Sequence, residues 1–200
     1  MSIFFTSLWP GLAAWSLLYV SDYALTIVCA RLYRSGVNEI ISFEGSFEIT
    51  PYFQRDIDSL KLISPRFIRL LCLTSILLTM FWFVSADLGR NYYAFVLGAF
   101  VLLEFAVHTR HLRNFFAFRA MSRPGGVRGH LGYSRPFILQ RSSEELFIFA
   151  GLLLALCAFA PSWFFVGGAV SCASTGVKHH RLSRQAPAQM PAAVQPESSS

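Results

Sequence analysis

Residues 144–177, EELFIFAGLLLALCAFAPSWFFVGGAVSCASTGV, form the stretch on which the fold turns. It is apolar nearly throughout and, read as one helix, much longer than the ~20 residues that cross a bilayer. Ala160-Pro161-Ser162-Trp163 interrupts it near the middle. A proline there removes a backbone donor, and its ring clashes with the preceding turn. The stretch therefore reads as two spans, about 143–160 and 163–180, back to back across a tight turn.

Working outward, three more apolar runs precede this pair. The first covers about 9–30, with Trp9 and Trp15 suited to an interface. Its leading residues, MSIFFTSLWPGLAAW, lack the basic start of a cleaved signal peptide, so the run is expected to be retained. Ser64 and Pro65 make an N-cap and first-turn pair that opens a second span, about 65–86. A short DLGRN link (87–91) leads into the third, about 92–110. The expected fold is thus an all-α integral membrane protein with about five transmembrane helices, over residues 1–182. Inner loops would occupy 31–64 and 111–142, and residues 183–200 read as a disordered tail.

The charge pattern supports five spans over four. With the N-terminus outside and the C-terminus inside, three basic groups fall on the inner side. They are Arg31, Arg34, Arg55, Lys61, Arg66 and Arg69; then Arg110, Arg113, Arg119, Arg123, Arg128, Arg135 and Arg141; then Lys178, Arg181 and Arg184. Of the 17 Lys and Arg residues only Arg90 is left outside, as the positive-inside bias requires. Arg66, Arg69, Arg110, Arg113 and Lys178 are expected to face lipid headgroups at the inner boundary. Each would contribute roughly 1 kcal/mol of attraction to an anionic surface.

Composition agrees with that reading. The chain is 54% hydrophobic and only 14% charged, with mean hydropathy +0.48, whereas soluble domains carry about 25% charged residues. The net charge of +6 is then a topology signal, and no basic module with stacking aromatics points to nucleic acid. Cys29, Cys72, Cys157 and Cys172 lie in apolar segments at irregular spacing, which is neither a disulfide framework nor a zinc ribbon.

Between spans one and two, ISFEGSFEIT (41–50) has Gly45-Ser46 between two alternating runs, which predicts a short hairpin. The following PYFQRDIDSLKLI places Phe53, Ile57 and Leu60 on one helical face, an amphipathic helix suited to the cytoplasmic interface. Asp56 and Asp58 would then belong to a solvated face. MSRPGGVRGHLGYSRP (121–136) is rich in glycine and proline and predicts a flexible loop.

One polar constellation stands out. In LLEFAVHTRHLRN (102–114), Glu104, His108 and His111 fall within about a 60° arc of one helix face. Asp22 in span one lies at a similar depth, roughly 9–14 Å inside the inner boundary. Together Asp22, Glu104, His108 and His111 form a candidate metal or proton site, with a divalent metal as the implied cofactor. The competing reading is that polar pairs such as Asp22–His108 only tie helices together. The placement of His108, His111, His179 and His180 is similar to that in membrane di-iron hydroxylases. Those enzymes need a larger histidine set than the five here, so membership is not assigned.

No zinc-protease motif, P-loop or nucleophile elbow is present in the sequence. No catalytic set is complete, and the reading leans away from an enzyme. The expectation is an accessory, assembly or interaction subunit, with metal or proton handling second and a lipid-directed membrane enzyme third. Its partners would be the bilayer and either another membrane protein or a second copy. Its location would be a cell membrane, the inner membrane of a bacterium.

Overall fold

The computed structural model describes residues 7–123, 127 and 129–185. Six helices carry the fold: α1 (Leu8–Arg34), α2 (Pro51–Asp58), α3 (Pro65–Leu88), α4 (Arg90–Met121), α5 (Arg135–Phe159) and α6 (Trp163–Gln185). Two three-residue strands, β1 (Ile41–Phe43) and β2 (Leu131–Tyr133), lie in the two inner connections. The chain is an all-α protein, and α1, α3, α4 and α5 are each long and apolar enough to cross a membrane.

Local chemistry sets the helix ends. The Ser64 side chain accepts from the Arg66 and Phe67 amides, with Pro65 in the first turn of α3, as the sequence predicts. Ser134 caps α5 in the same way through the Phe137 amide, again with proline in the first turn. Between α3 and α4 the expected DLGRN link contracts to Gly89 alone, whose φ of +108° only glycine adopts without strain. At the α5–α6 break, Ala160, Pro161 and Ser162 leave the helix, and the Ser162 hydroxyl accepts from the Phe164 amide.

Pairings across the bundle give the helix directions. Gly11 lies under Tyr93 and Leu97 while Asp22 faces His108, so α1 and α4 run parallel. The Trp15 indole donates to Thr74 at 3.0 Å and the Tyr23 hydroxyl to the Lys61 carbonyl at 2.8 Å, so α3 runs antiparallel to α1. Gly98 abuts Phe164 and Gly168 abuts Leu102, making α6 parallel to α4. At the other end the Ser143 hydroxyl donates to the Gly176 carbonyl, so α6 retraces the length of α5. Twenty-three residues give α6 a length of about 35 Å, enough to cross a ~30 Å core. Lys178, His179 and His180 dilute its hydropathy at the inner end.

Outward faces are apolar: Leu73, Ile76, Met80 and Phe83 on α3 and Ile148, Leu152 and Leu154 on α5 are all exposed. That is the exterior a lipid solvent calls for. The interior is aromatic on the α1–α3–α4 side, where Trp15, Tyr19, Tyr23, Phe67 and Tyr93 form one buried cluster.

Two expectations about the inner loops need correction. The predicted hairpin over 41–50 does not form: β1 pairs in parallel with β2, Ile41 opposite Leu131 and Phe43 opposite Tyr133. Stronger partners lie across the loops than within 41–50. Phe43 stacks on Tyr133, the Glu44 amide donates to the Tyr133 carbonyl, and the Glu44 carboxylate accepts from the Arg135 amide. Gly45 (φ +85°) turns the chain inward instead of back on itself. The second inner loop is also shorter than 111–142. Helix α4 continues to Met121 because Phe118 packs on Cys29 and Val37, and α5 starts at Arg135. Part of the predicted flexible loop, residues 124–126 and 128, lies outside the described residues, as does the tail from 186 onward.

The amphipathic helix forms as α2, with Ile57 buried. Asp56, however, is buried and not on a solvated face. It accepts from the Ser64 hydroxyl at 2.6 Å and pairs with Lys61 at 3.2 Å, joining the end of α2 to the start of α3. Asp58 accepts from the Ser46 hydroxyl.

Candidate functional site

The four residues singled out in the sequence meet. Asp22 on α1 points at α4, with its Oδ1 3.6 Å from His108 Nδ1 and its Oδ2 4.0 Å from His111 Nε2. Glu104, one turn before His108, sets its carboxyl beside that of Asp22. Parallel α1 and α4 produce this meeting, because the Gly11–Leu97 contact fixes the axial register and carries it down to 22 against 104–111. The Asp22–His108 tie is thus present, but it is only part of a larger arrangement.

Asp22, Glu104 and His111 border a cavity of about 160 Å³. Its walls are the aromatic rings of Tyr19, Tyr23, Phe53 and Phe67 with Ile57 and Val107. Its polar groups are Asp22, Thr26, Glu48, Thr50, Glu104 and His111. The walls are rigid because the rings pack on one another: Tyr23 stacks on Phe67 at 4.5 Å and Tyr19 on Phe67 at 5.0 Å.

Glu48 is the residue that sequence reasoning missed. The inward turn at Gly45 carries it from the first inner loop onto the cavity, where it is buried. Its carboxylate accepts from the Thr50 amide at 2.7 Å, and the Gln54 side chain holds its carbonyl. Burial pushes the Glu48 carboxyl above its usual range, while the Thr50 hydrogen bonds and the charge of Arg110 pull the other way. The available signal was an acid two residues ahead of the α2 cap, where free helix amides attract a carboxylate. The alternation of 41–50 masked it as a strand position.

Several buried polar atoms at this site make no hydrogen bond within the described chain: Tyr19 Oη, Asp22 Oδ1, His108 Nδ1 and His111 Nδ1. Asp22 Oδ1 and His108 Nδ1 face each other at 3.6 Å; an unpartnered buried polar atom costs about 1–3 kcal/mol, and the gathering of such atoms at one place marks a candidate site. Among the described residues, no group of three or more His, Cys, Asp or Glu side chains is gathered so as to hold a metal ion. Asp22, Glu104 and His111 line a space instead of converging on a point, with His108 behind Asp22, so the donor set does not fit the metal that the sequence implied.

The five basic positions separate. Arg110 does not face lipid: its side chain turns into the bundle and donates to Glu145 on α5 at 2.8 Å, with Arg113 on the same carboxylate. A half-buried carboxylate about three turns into α5 captures a guanidinium that position alone would send to headgroups. Arg66 donates to the Tyr52 carbonyl and lies over its ring, while Arg69 and Lys178 are exposed. His179 is away from the cluster, 2.7 Å from the Ser142 hydroxyl at the α5–α6 contact.

In comparisons with known proteins, no family model, curated protein or solved structure matches this chain.

Proposed function

We propose that the protein binds a small polar ligand within the membrane, in the cavity between α1, α4 and the 44–50 segment. Asp22, Glu48, Glu104, His111 and Tyr19 contact the ligand, and His108 orients Asp22. It resides in a cell membrane with its basic helix ends toward the cytoplasm. The observation that carries this reading is the set of buried polar atoms of Tyr19, Asp22 and His111 without hydrogen-bond partners in the described chain, on the wall of one cavity.

An accessory or assembly role leaves those atoms without a use. Apolar replacements at Asp22, Glu104 and the histidines would serve a purely structural bundle equally well, without the desolvation cost. The proton-handling reading survives in a narrower form, because Asp22 beside His108 can pass a proton to or from whatever enters.

A ligand screen by thermal denaturation tests the proposal. The full chain in a maltoside detergent is challenged with small cations, anions and neutral molecules, alongside an Asp22→Asn/Glu104→Gln variant. At least one class stabilises the wild type and not the variant. If every class acts on both proteins alike, the cavity is not a binding site.

A further inference from the structure

The ligand class follows from the cavity's donor and acceptor balance, and this inference rests on the proposed binding role. Three carboxyls, Asp22, Glu48 and Glu104, line the space, and among the described residues no lysine or arginine does. The nearest guanidinium, Arg110, is engaged by Glu145, and Lys61 is engaged by Asp56. Two hydroxyl donors at the wall are committed: Thr26 donates to the Asp22 carbonyl and Tyr23 to the Lys61 carbonyl. Acceptors therefore outnumber free donors, and Asp22 Oδ1, facing His108 Nδ1 at 3.6 Å, makes no hydrogen bond within the described chain.

Tyr19 supplies an independent observation. It is nine-tenths buried, it lines the cavity, and its hydroxyl has no partner. Its ring and those of Tyr23, Phe53 and Phe67 pack into one aromatic wall along the same space, which offers apolar contact to the carbon part of an organic cation. An inorganic ion would gain little from them. A quaternary ammonium would use the rings but carries no N–H for the orphaned oxygens and nitrogens. A primary ammonium satisfies both requirements, with three N–H donors on one positive charge.

Size narrows the class. A cavity of about 160 Å³ matches the ~150 Å³ apolar cavity known to admit benzene, so roughly six heavy atoms fit. We propose that the cavity holds a small primary alkylammonium group, its nitrogen among Asp22, Glu48 and Glu104 and its carbon chain against Tyr19, Tyr23 and Phe67. The group could be a free amine or the ethanolamine end of a phospholipid; both present the same chemistry.

The test compares n-butylamine with n-butanol and tetramethylammonium as additives to the full chain in maltoside detergent, reading the melting temperature. Dihexanoyl phosphatidylethanolamine and its phosphatidylcholine counterpart form the lipid arm. At about tenfold over the dissociation constant, butylamine raises the melting temperature by about 3–6 °C. Butanol and tetramethylammonium do not. A rise with the ethanolamine lipid and not the choline lipid assigns the group to a headgroup, and a rise with butylamine alone assigns it to a free amine. Asp22→Asn and Glu104→Gln each abolish the rise. Should a variant fail to fold, Tyr19→Phe, which keeps the wall, shows a rise reduced by at least half. Equal rises with butanol and butylamine overturn the assignment, as does a rise with tetramethylammonium alone. Stabilisation by a different class that is lost in Asp22→Asn leaves the cavity a binding site and removes only the ammonium. No stabilisation by any class removes both.

Discussion

Glu48 is buried in an acidic neighbourhood, and its ionisation works against the fold. Its folded pKa is raised by burial, so it favours the folded state below the ordinary carboxyl value near 4.5. That contribution is lost as pH rises through the raised folded value. Glu48→Gln is therefore expected to leave stability unchanged at low pH and to raise the melting temperature at neutral pH and above. Melting curves from pH 4 to 8 check this, and a uniform loss across the range would contradict it. Asp56 has the opposite sign. The Ser64 hydroxyl, aided by Lys61, holds its carboxyl below the ordinary range, so its contribution is present above pH 4 and fades as acid protonates it. Ser64→Ala removes an N-cap and leaves Asp56 without its closest partner. A loss of about 1–3 kcal/mol is expected, measurable by denaturant titration in detergent.

Among the elements, α4 is held from two sides by different physics. Toward α5 the grip is ionic: Arg110 and Arg113 share Glu145. Arg110→Met leaves Glu145 with Arg113 as its remaining cation and is expected to cost about 1–3 kcal/mol, whereas pairing it with Glu145→Leu restores most of that stability. A double-mutant cycle measures the difference, and additive losses would argue against a buried pair. Toward α6 the grip is backbone contact. A side chain at Gly98 would collide with the Phe164 backbone, and one at Gly167 with that of Phe95. Small residues allow this approach where lipid offers no hydrophobic drive between helices. Gly98→Val should separate α6 from α4 and lower the yield of monodisperse protein, while Gly151→Val, where nothing lies nearby, should not.

At the scale of the whole molecule, the five-span reading of the sequence predicts Asn91 on the outer side and Arg123 and Gln185 on the inner side. Single cysteines at these positions, in a chain with Cys29, Cys72, Cys157 and Cys172 replaced, test this. An impermeant maleimide is expected to label position 91 on intact cells, and 123 and 185 only after permeabilisation. External labelling at 185 would mean that α6 does not cross. The helical frame was legible because lipid imposes one rule on every span, and the apolar runs and the break at Pro161 follow it. Asp22, Glu104, His108 and His111 were legible as a group because helical spacing and depth are local properties. Glu48 and Arg110 were not. Glu48 reaches the cavity through a turn whose direction depends on β2, some 80 residues later. Arg110 points inward because Glu145 is there to receive it, and a distant partner leaves no trace in the spacing around position 110.

The β1–β2 pairing also bears on how the protein is made. Residues 41–43 find their partner only once 131–133 have been synthesised and have left the ribosome. A chain truncated after residue 123 lacks β2, so the segment carrying Glu48 would have no strand to align it beside Asp22 and Glu104.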